Sequence, residues 1–102
     1  MSFGFPTVLQ TKPIGYNPRN LDGSAASFRT ARITIPTTAL SSTSDFAWYL
    51  SADGGATWEQ ATINTTYTFT STGTSLLLQV LGNPGATITL GTNRLEVVYT
   101  YS

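Results

Sequence analysis

This chain of 102 residues contains no cysteine and no histidine. Without cysteine there is no disulfide to staple a small domain and no thiolate to hold a metal. Without either residue, neither a Ser-His pair nor a cysteine nucleophile can be built, so the commonest routes to nucleophilic catalysis are closed. Charge is scarce as well: five basic residues stand against five acidic ones, for a net charge of zero. The basic residues, Lys12, Arg19, Arg29, Arg32 and Arg94, are scattered, which removes the electrostatic footprint of a nucleic-acid binder. No apolar stretch nears the roughly 20 residues of a membrane span. The opening residues, Met1-Ser2-Phe3-Gly4-Phe5-Pro6, lack the basic and apolar regions of a secretory signal. The expectation is a chain kept soluble, with neither membrane nor nucleic acid as partner.

The acids offer little more. They are Asp22, Asp45, Asp53, Glu59 and Glu96, and a glycosidase needs two carboxylates facing each other across a cleft. Asp22 and Asp53 fall in turns, Asp45 opens a strand, and Glu59 and Glu96 read as outward positions on strands. Calcium would want several of these oxygens on one loop. The chain is therefore expected to be no enzyme, with no catalytic residues, no cofactor and no metal. Asn64-Thr65-Thr66 fits a glycosylation triplet, but with threonine this frequent a chance match is expected.

What the chain has is hydroxyls and alternation. Nineteen Thr and ten Ser carry its solubility, and period-2 patterning recurs throughout with no 3.6-residue period. Phe28 to Ile35 sets Ala31, Ile33 and Ile35 against Thr30, Arg32 and Thr34, as a half-buried strand does. Asp45 to Ser51 puts Phe46, Trp48 and Leu50 on one face, with Ala47 and Tyr49 on the other. Its partner runs from Thr57 to about Ile63 across an Asp53-Gly54-Gly55 turn, a strong hairpin signal because glycine accepts the positive φ of tight turns. A strand with Tyr67 and Phe69 ends at Ser71-Thr72-Gly73-Thr74. The pattern then predicts another hairpin into Leu76–Leu81, apolar on both sides and hence mid-sheet. Thr87 to Leu90 and Arg94 to Tyr101 close the chain. Before all of these, Thr7 to Thr11 lies between prolines, as edge strands do, and turn formers from Gly15 to Ser24 make a loop with turns at Asn17-Pro18 and Asp22-Gly23.

Seven to eight short strands at this spacing describe an all-β, single antiparallel sandwich of jelly-roll or Ig-like type. Residues 1–26 read as an extended N-terminal arm and loop that can include an edge strand, and residues 27–102 as the sandwich domain. One core of modest size is all that this length can build.

The hairpin Ser51-Ala52-Asp53-Gly54-Gly55-Ala56-Thr57-Trp58 resembles the Asp-box turn of sialidase-type propellers and other secreted or viral β-proteins. The resemblance implies that Ser51, Asp53, Gly55, Thr57 and Trp58 form a structural turn rather than a reaction centre. A propeller is not implied, because its repeated blades are absent. From Phe46 onward, Trp48-Tyr49-Leu50-Ser51, the Asp-Gly-Gly-x-Thr-Trp turn, Tyr67-Thr68-Phe69, the leucine-rich strand into Leu81-Gly82-Asn83 and Leu95-Glu96-Val97-Val98-Tyr99 are similar to a β-sandwich module recurring in virion proteins of tailed bacteriophages. Gln79 and Thr87-Ile88 depart from that pattern, where a basic residue and a Thr-Pro pair are common. A free-standing copy implies a non-enzymatic virion protein, assembled in the host cytoplasm. In this reading it is a capsid decoration protein that bridges subunits of the major capsid protein, or other virion proteins, and is itself a homo-oligomer, with a trimer among the options. Phe3, Phe5, Pro6 and Tyr16 are the candidate docking arm, and Tyr49, Tyr99 and Tyr101 the candidate exposed aromatic contacts. The alternative is a tail or fibre component that binds a host glycan, for which replacing Tyr49 or Trp58 by Ala would abolish binding and leave the fold intact.

Overall fold

A computed structural model describes residues 2–4, 9–89 and 95–102 of the chain. Ten strands follow one another: β1 (Ser2–Gly4), β2 (Leu9–Gln10), β3 (Gly15–Tyr16), β4 (Phe28–Thr34), β5 (Phe46–Ser51), β6 (Glu59–Ala61), β7 (Thr66–Gly73), β8 (Ser75–Gly82), β9 (Thr87–Thr89) and β10 (Glu96–Tyr101). Two single-turn 3-10 helices, Thr37–Ala39 and Thr43–Asp45, interrupt the connector between β4 and β5. The described residues include no helix long and apolar enough to cross a membrane.

The architecture is an antiparallel β-sandwich. One sheet has the order β10-β4-β7; the other has the order β2-β8-β5-β6, with β3 also paired to β8. β1 lies antiparallel to β9 in a separate two-stranded ribbon, with Phe3 opposite Ile88. Alternation sets the inner faces. Ala31, Ile33 and Ile35 from one sheet meet Trp48, Leu50, Leu76, Leu78 and Val80 from the other, and all are buried. Phe28 joins them because a register shift between Phe28 and Thr30 turns its ring inward. β8 is flanked by strands on both sides, and Leu77 on its second face is buried too.

Two sequence expectations are corrected. β7 and β8 do not form a hairpin: β7 pairs with β4 and β8 with β5, so the chain changes sheets at Thr74. The close approach of Gly73 to the β5–β6 turn marks this crossing, since a Cβ there would lie 2.5 Å from the Ala52 carbonyl oxygen and 2.8 Å from Asp53 Cα. The strand after the Asp-Gly-Gly turn is also shorter than expected, starting at Glu59 rather than Thr57. The turn extends through Trp58, so the inward positions of β6 are Glu59 and Ala61.

Candidate functional site

Three places carry side chains whose geometry goes beyond packing: the β5–β6 turn, the Glu59 carboxylate, and the tyrosines around β10. In the turn, Gly54 and Gly55 take φ of +77° and +94°, which side chains with a Cβ rarely adopt. Asp53 Oδ1 accepts the Ser51 hydroxyl at 2.8 Å and the Thr57 N–H at 2.8 Å, while Ser51 Oγ accepts the Gly55 N–H at 2.9 Å. The Trp58 ring lies over Gly55, with its Cζ2 3.5 Å from where a Cβ would stand. Desolvation pushes the Asp53 carboxyl up, but the Thr57 N–H and the Ser51 hydroxyl outweigh it and hold the group below the ordinary range. The turn is also tied to β8: Gly54 N–H donates to the Ser75 carbonyl at 3.0 Å, and Ser75 N–H to that of Ala52 at 3.1 Å. All five residues named for this turn meet in one structural lock, with the Asp53 carboxylate engaged inside it.

Glu59 overturns its expected outward place. It is buried, and its carboxylate crosses from β6 to the opposite sheet. Oε1 accepts the Tyr67 hydroxyl at 2.7 Å, the Thr70 N–H at 2.9 Å and the Thr70 hydroxyl at 2.6 Å; Oε2 accepts the Ser71 N–H at 3.1 Å. Burial raises its pKa, and these donors, led by Thr70, more than reverse the effect and leave it below the ordinary glutamate value. The same contact raises the Tyr67 phenol. Sequence reasoning sets this residue outward because a charged side chain on a strand ordinarily faces solvent. The available signal was parity, since Glu59, Ala61 and Ile63 alternate with Gln60 and Thr62.

Asn64, in the triplet read as a chance match, has a structural role. It sits at φ +58°, accepts the Ile35 N–H on its side-chain oxygen at 3.0 Å and donates its amide to the Ile35 carbonyl at 2.9 Å. That amide nitrogen, the atom a glycan would occupy, is engaged in extending β4. Asp22 closes the expected turn before β4: the Ser24 hydroxyl and N–H both donate to its Oδ1, which keeps the carboxyl low. Asp45 accepts the Ser41 hydroxyl at 2.9 Å, and Glu96 lies exposed on β10.

The candidate contact tyrosines divide between two surfaces. Tyr49 is half-buried on the outer face of its sheet, opposite Gln60 and Gln79. Tyr99 and Tyr101 stand on β10, 37% and 44% exposed, each with its ring edge-on to buried Phe28 at 5.2 and 6.3 Å. Tyr16 is 68% exposed on β3. A Cβ on the adjacent Gly15 would stand 2.6 Å from the Phe28 ring and 3.5 Å from that of Tyr99, so β3 brings Tyr16 to the same end of the molecule. Of the docking-arm residues, Phe3 falls in β1, and Phe5 and Pro6 lie outside the described residues. Among the described residues no three acids, histidines or cysteines converge, and every buried polar side-chain atom has a hydrogen-bond partner.

No known family, curated protein or solved structure shows significant similarity to this chain.

Proposed function

We propose that the chain is a non-enzymatic structural protein of a bacteriophage virion, a capsid decoration protein that bridges neighbouring subunits by strand addition. The observation that carries the reading is the contrast between the two edges of the three-stranded sheet. On β7 the Thr70 and Ser71 N–H groups are taken by Glu59. β10 pairs only with β4 among the described residues. Its segment Glu96-Val97-Val98-Tyr99-Thr100-Tyr101 has no proline and no lysine, the usual devices that keep an edge from templating another strand. Val98 is 57% exposed there. A six-residue edge with five β-branched or aromatic residues, rimmed by Tyr16, Tyr99 and Tyr101, suits an extended strand from a neighbouring subunit: main-chain hydrogen bonds supply affinity and the tyrosines supply area. A self-contained sandwich that docks along one edge needs no reaction chemistry, and its low charge suits packing against a shell.

The test is to measure the copy number of this protein relative to the major capsid protein in purified particles of its source, by quantitative mass spectrometry. A copy number that scales with the capsid lattice is the expected result. A number matching a single ring of subunits would move the protein to the tail or a fibre, and its absence from the particle would overturn the virion reading.

A further inference from the structure

The outer face of the five-stranded sheet carries four polar side chains at one level. Gln10 on β2 stands opposite Gln79 on β8, Gln79 opposite Tyr49 on β5, and Tyr49 opposite Gln60 on β6. Directly opposed residues share a face of the sheet, and the inner face here belongs to their buried neighbours Trp48, Leu50, Leu78 and Val80. Strands about 4.8 Å apart make this a row roughly 14 Å long, running across the strands. Gln10 and Gln60 are exposed, and Tyr49 and Gln79 half-buried. None of the four side chains is hydrogen-bonded to a described residue, so among the described residues three amides and a phenol keep their donors and acceptors open. At the Gln60 end the row reaches the β6 edge, where a cleft of about 400 Å³ opens between Gln60 and Thr62 of the outer face and Trp48 and Ala61 of the inner one. Thr37, Thr43 and Thr62 line it beside Phe46 and Trp48, and no charged residue takes part in its lining.

We infer that this row and cleft bind a neutral oligosaccharide. The chemistry selects the ligand class. In the cleft a phosphate or carboxylate would be met by no cation, and along the row a purely apolar ligand would leave the amides unpaired at a cost. A pyranose has an apolar ring face to lie against Tyr49, and rim hydroxyls that both donate and accept, as primary amides and threonines do. The cleft volume falls in the range of small-ligand sites, with room for a terminal sugar while the chain extends over the tyrosine. The row runs perpendicular to the strands, whereas a peptide added by main-chain pairing would run parallel to them at an edge. The inference is independent of the virion reading: it concerns the opposite sheet from β10 and holds whichever particle or cell carries the protein.

The experiment is chemical-shift mapping of the isotopically labelled full chain, titrated with neutral oligomers of glucose, mannose, galactose and N-acetylglucosamine. Sialyllactose, inorganic phosphate and an uncharged extended peptide serve as controls. At least one neutral oligomer is expected to shift the side-chain amide signals of Gln10, Gln60 and Gln79 and the indole signal of Trp48 together. Gln60→Ala and Gln79→Ala, both away from the core, are each expected to weaken that binding about tenfold with unchanged melting temperature, the effect of one lost hydrogen-bonded contact. Tyr49→Ala is expected to weaken it further. No shift with any neutral oligomer at millimolar concentration, shifts confined to the Tyr99–Tyr101 edge, or equal response to the charged or peptide controls would each overturn the proposal.

Discussion

Glu59 holds four donors from the opposite sheet on one carboxylate, and its replacement by Gln is an instructive single change. Glutamine keeps the length and one oxygen, but turns an NH2 group towards donors that it cannot accept. Leaving buried polar groups unmatched costs about 1–3 kcal/mol. Glu59→Gln is therefore expected to lower stability by about 2–3 kcal/mol in urea titrations, and melting by roughly 15 °C in a domain of this size. A loss under about 0.5 kcal/mol, the range of ordinary surface changes, would mean that the carboxylate does not join the sheets. Gly73→Ala tests a different force at the same end of the molecule. Its new methyl would sit 2.5 Å from a backbone oxygen and 2.8 Å from a Cα, and neither atom can rotate away as a side chain does. A loss of about 1–3 kcal/mol is expected, as for other overpacked sites. Wild-type stability would show that the β5–β6 turn shifts freely. Neither residue announces itself in the sequence. A carboxylate after a tryptophan reads as surface, and a glycine between threonines reads as a turn, because what defines each is a contact across the fold.

Elements whose cause is local were legible. Phe28–Thr34, Phe46–Ser51 and the Asp-Gly-Gly turn follow from period-2 alternation and from the φ that only glycine adopts freely, information held within a few residues. The chain between β7 and β8 was not legible, because hairpin and sheet-crossing differ only in which partner each strand finds, and β4, more than thirty residues away from β7, decides it. The same holds for the N-terminal strands: β2 and β3 are two residues each and exist through their pairing to β8. At this scale belongs the prediction for β10. Val98 points outward opposite Arg32, so Val98→Lys adds a charge to the open edge without entering the core. Folding stability is expected to fall by no more than about 1 kcal/mol, the cost of setting a lysine opposite Arg32, while attachment to particles in a co-sedimentation assay is lost, since a lysine is the common natural block to edge pairing. Attachment at the wild-type level would remove β10 from the interface.

The whole molecule has an unusual titration inventory: no histidine, no cysteine, and three carboxylates, Asp22, Asp53 and Glu59, held low by hydrogen bonds of the folded chain. Histidine is the side chain whose ordinary pKa lies between pH 5 and 8, so stability should be level across that window. Below it, Asp22, Asp53 and Glu59 matter. All three are held under their ordinary values, 3.8 for the aspartates and 4.5 for the glutamate, in the folded chain, so on acidification the unfolded chain takes up protons first. Their contribution is complete above the unfolded values and is lost as pH falls through the folded ones. At the alkaline end Tyr67 has the opposite sign. Its phenol is raised above 10.0 by Glu59, so the folded chain retains a proton that the unfolded chain has already released. That contribution is present below the unfolded value and is lost as pH rises through the folded one. Melting temperature against pH is thus expected to form a plateau from about pH 5 to 9 with a fall on each side. Glu59 is common to both falls, so Glu59→Gln should lower the plateau and flatten both shoulders, leaving Asp22 and Asp53 to carry the residual acid limb. A step between pH 6 and 7, or shoulders unchanged in Glu59→Gln, would show that groups other than this inter-sheet carboxylate and its tyrosine govern the pH response of the sandwich.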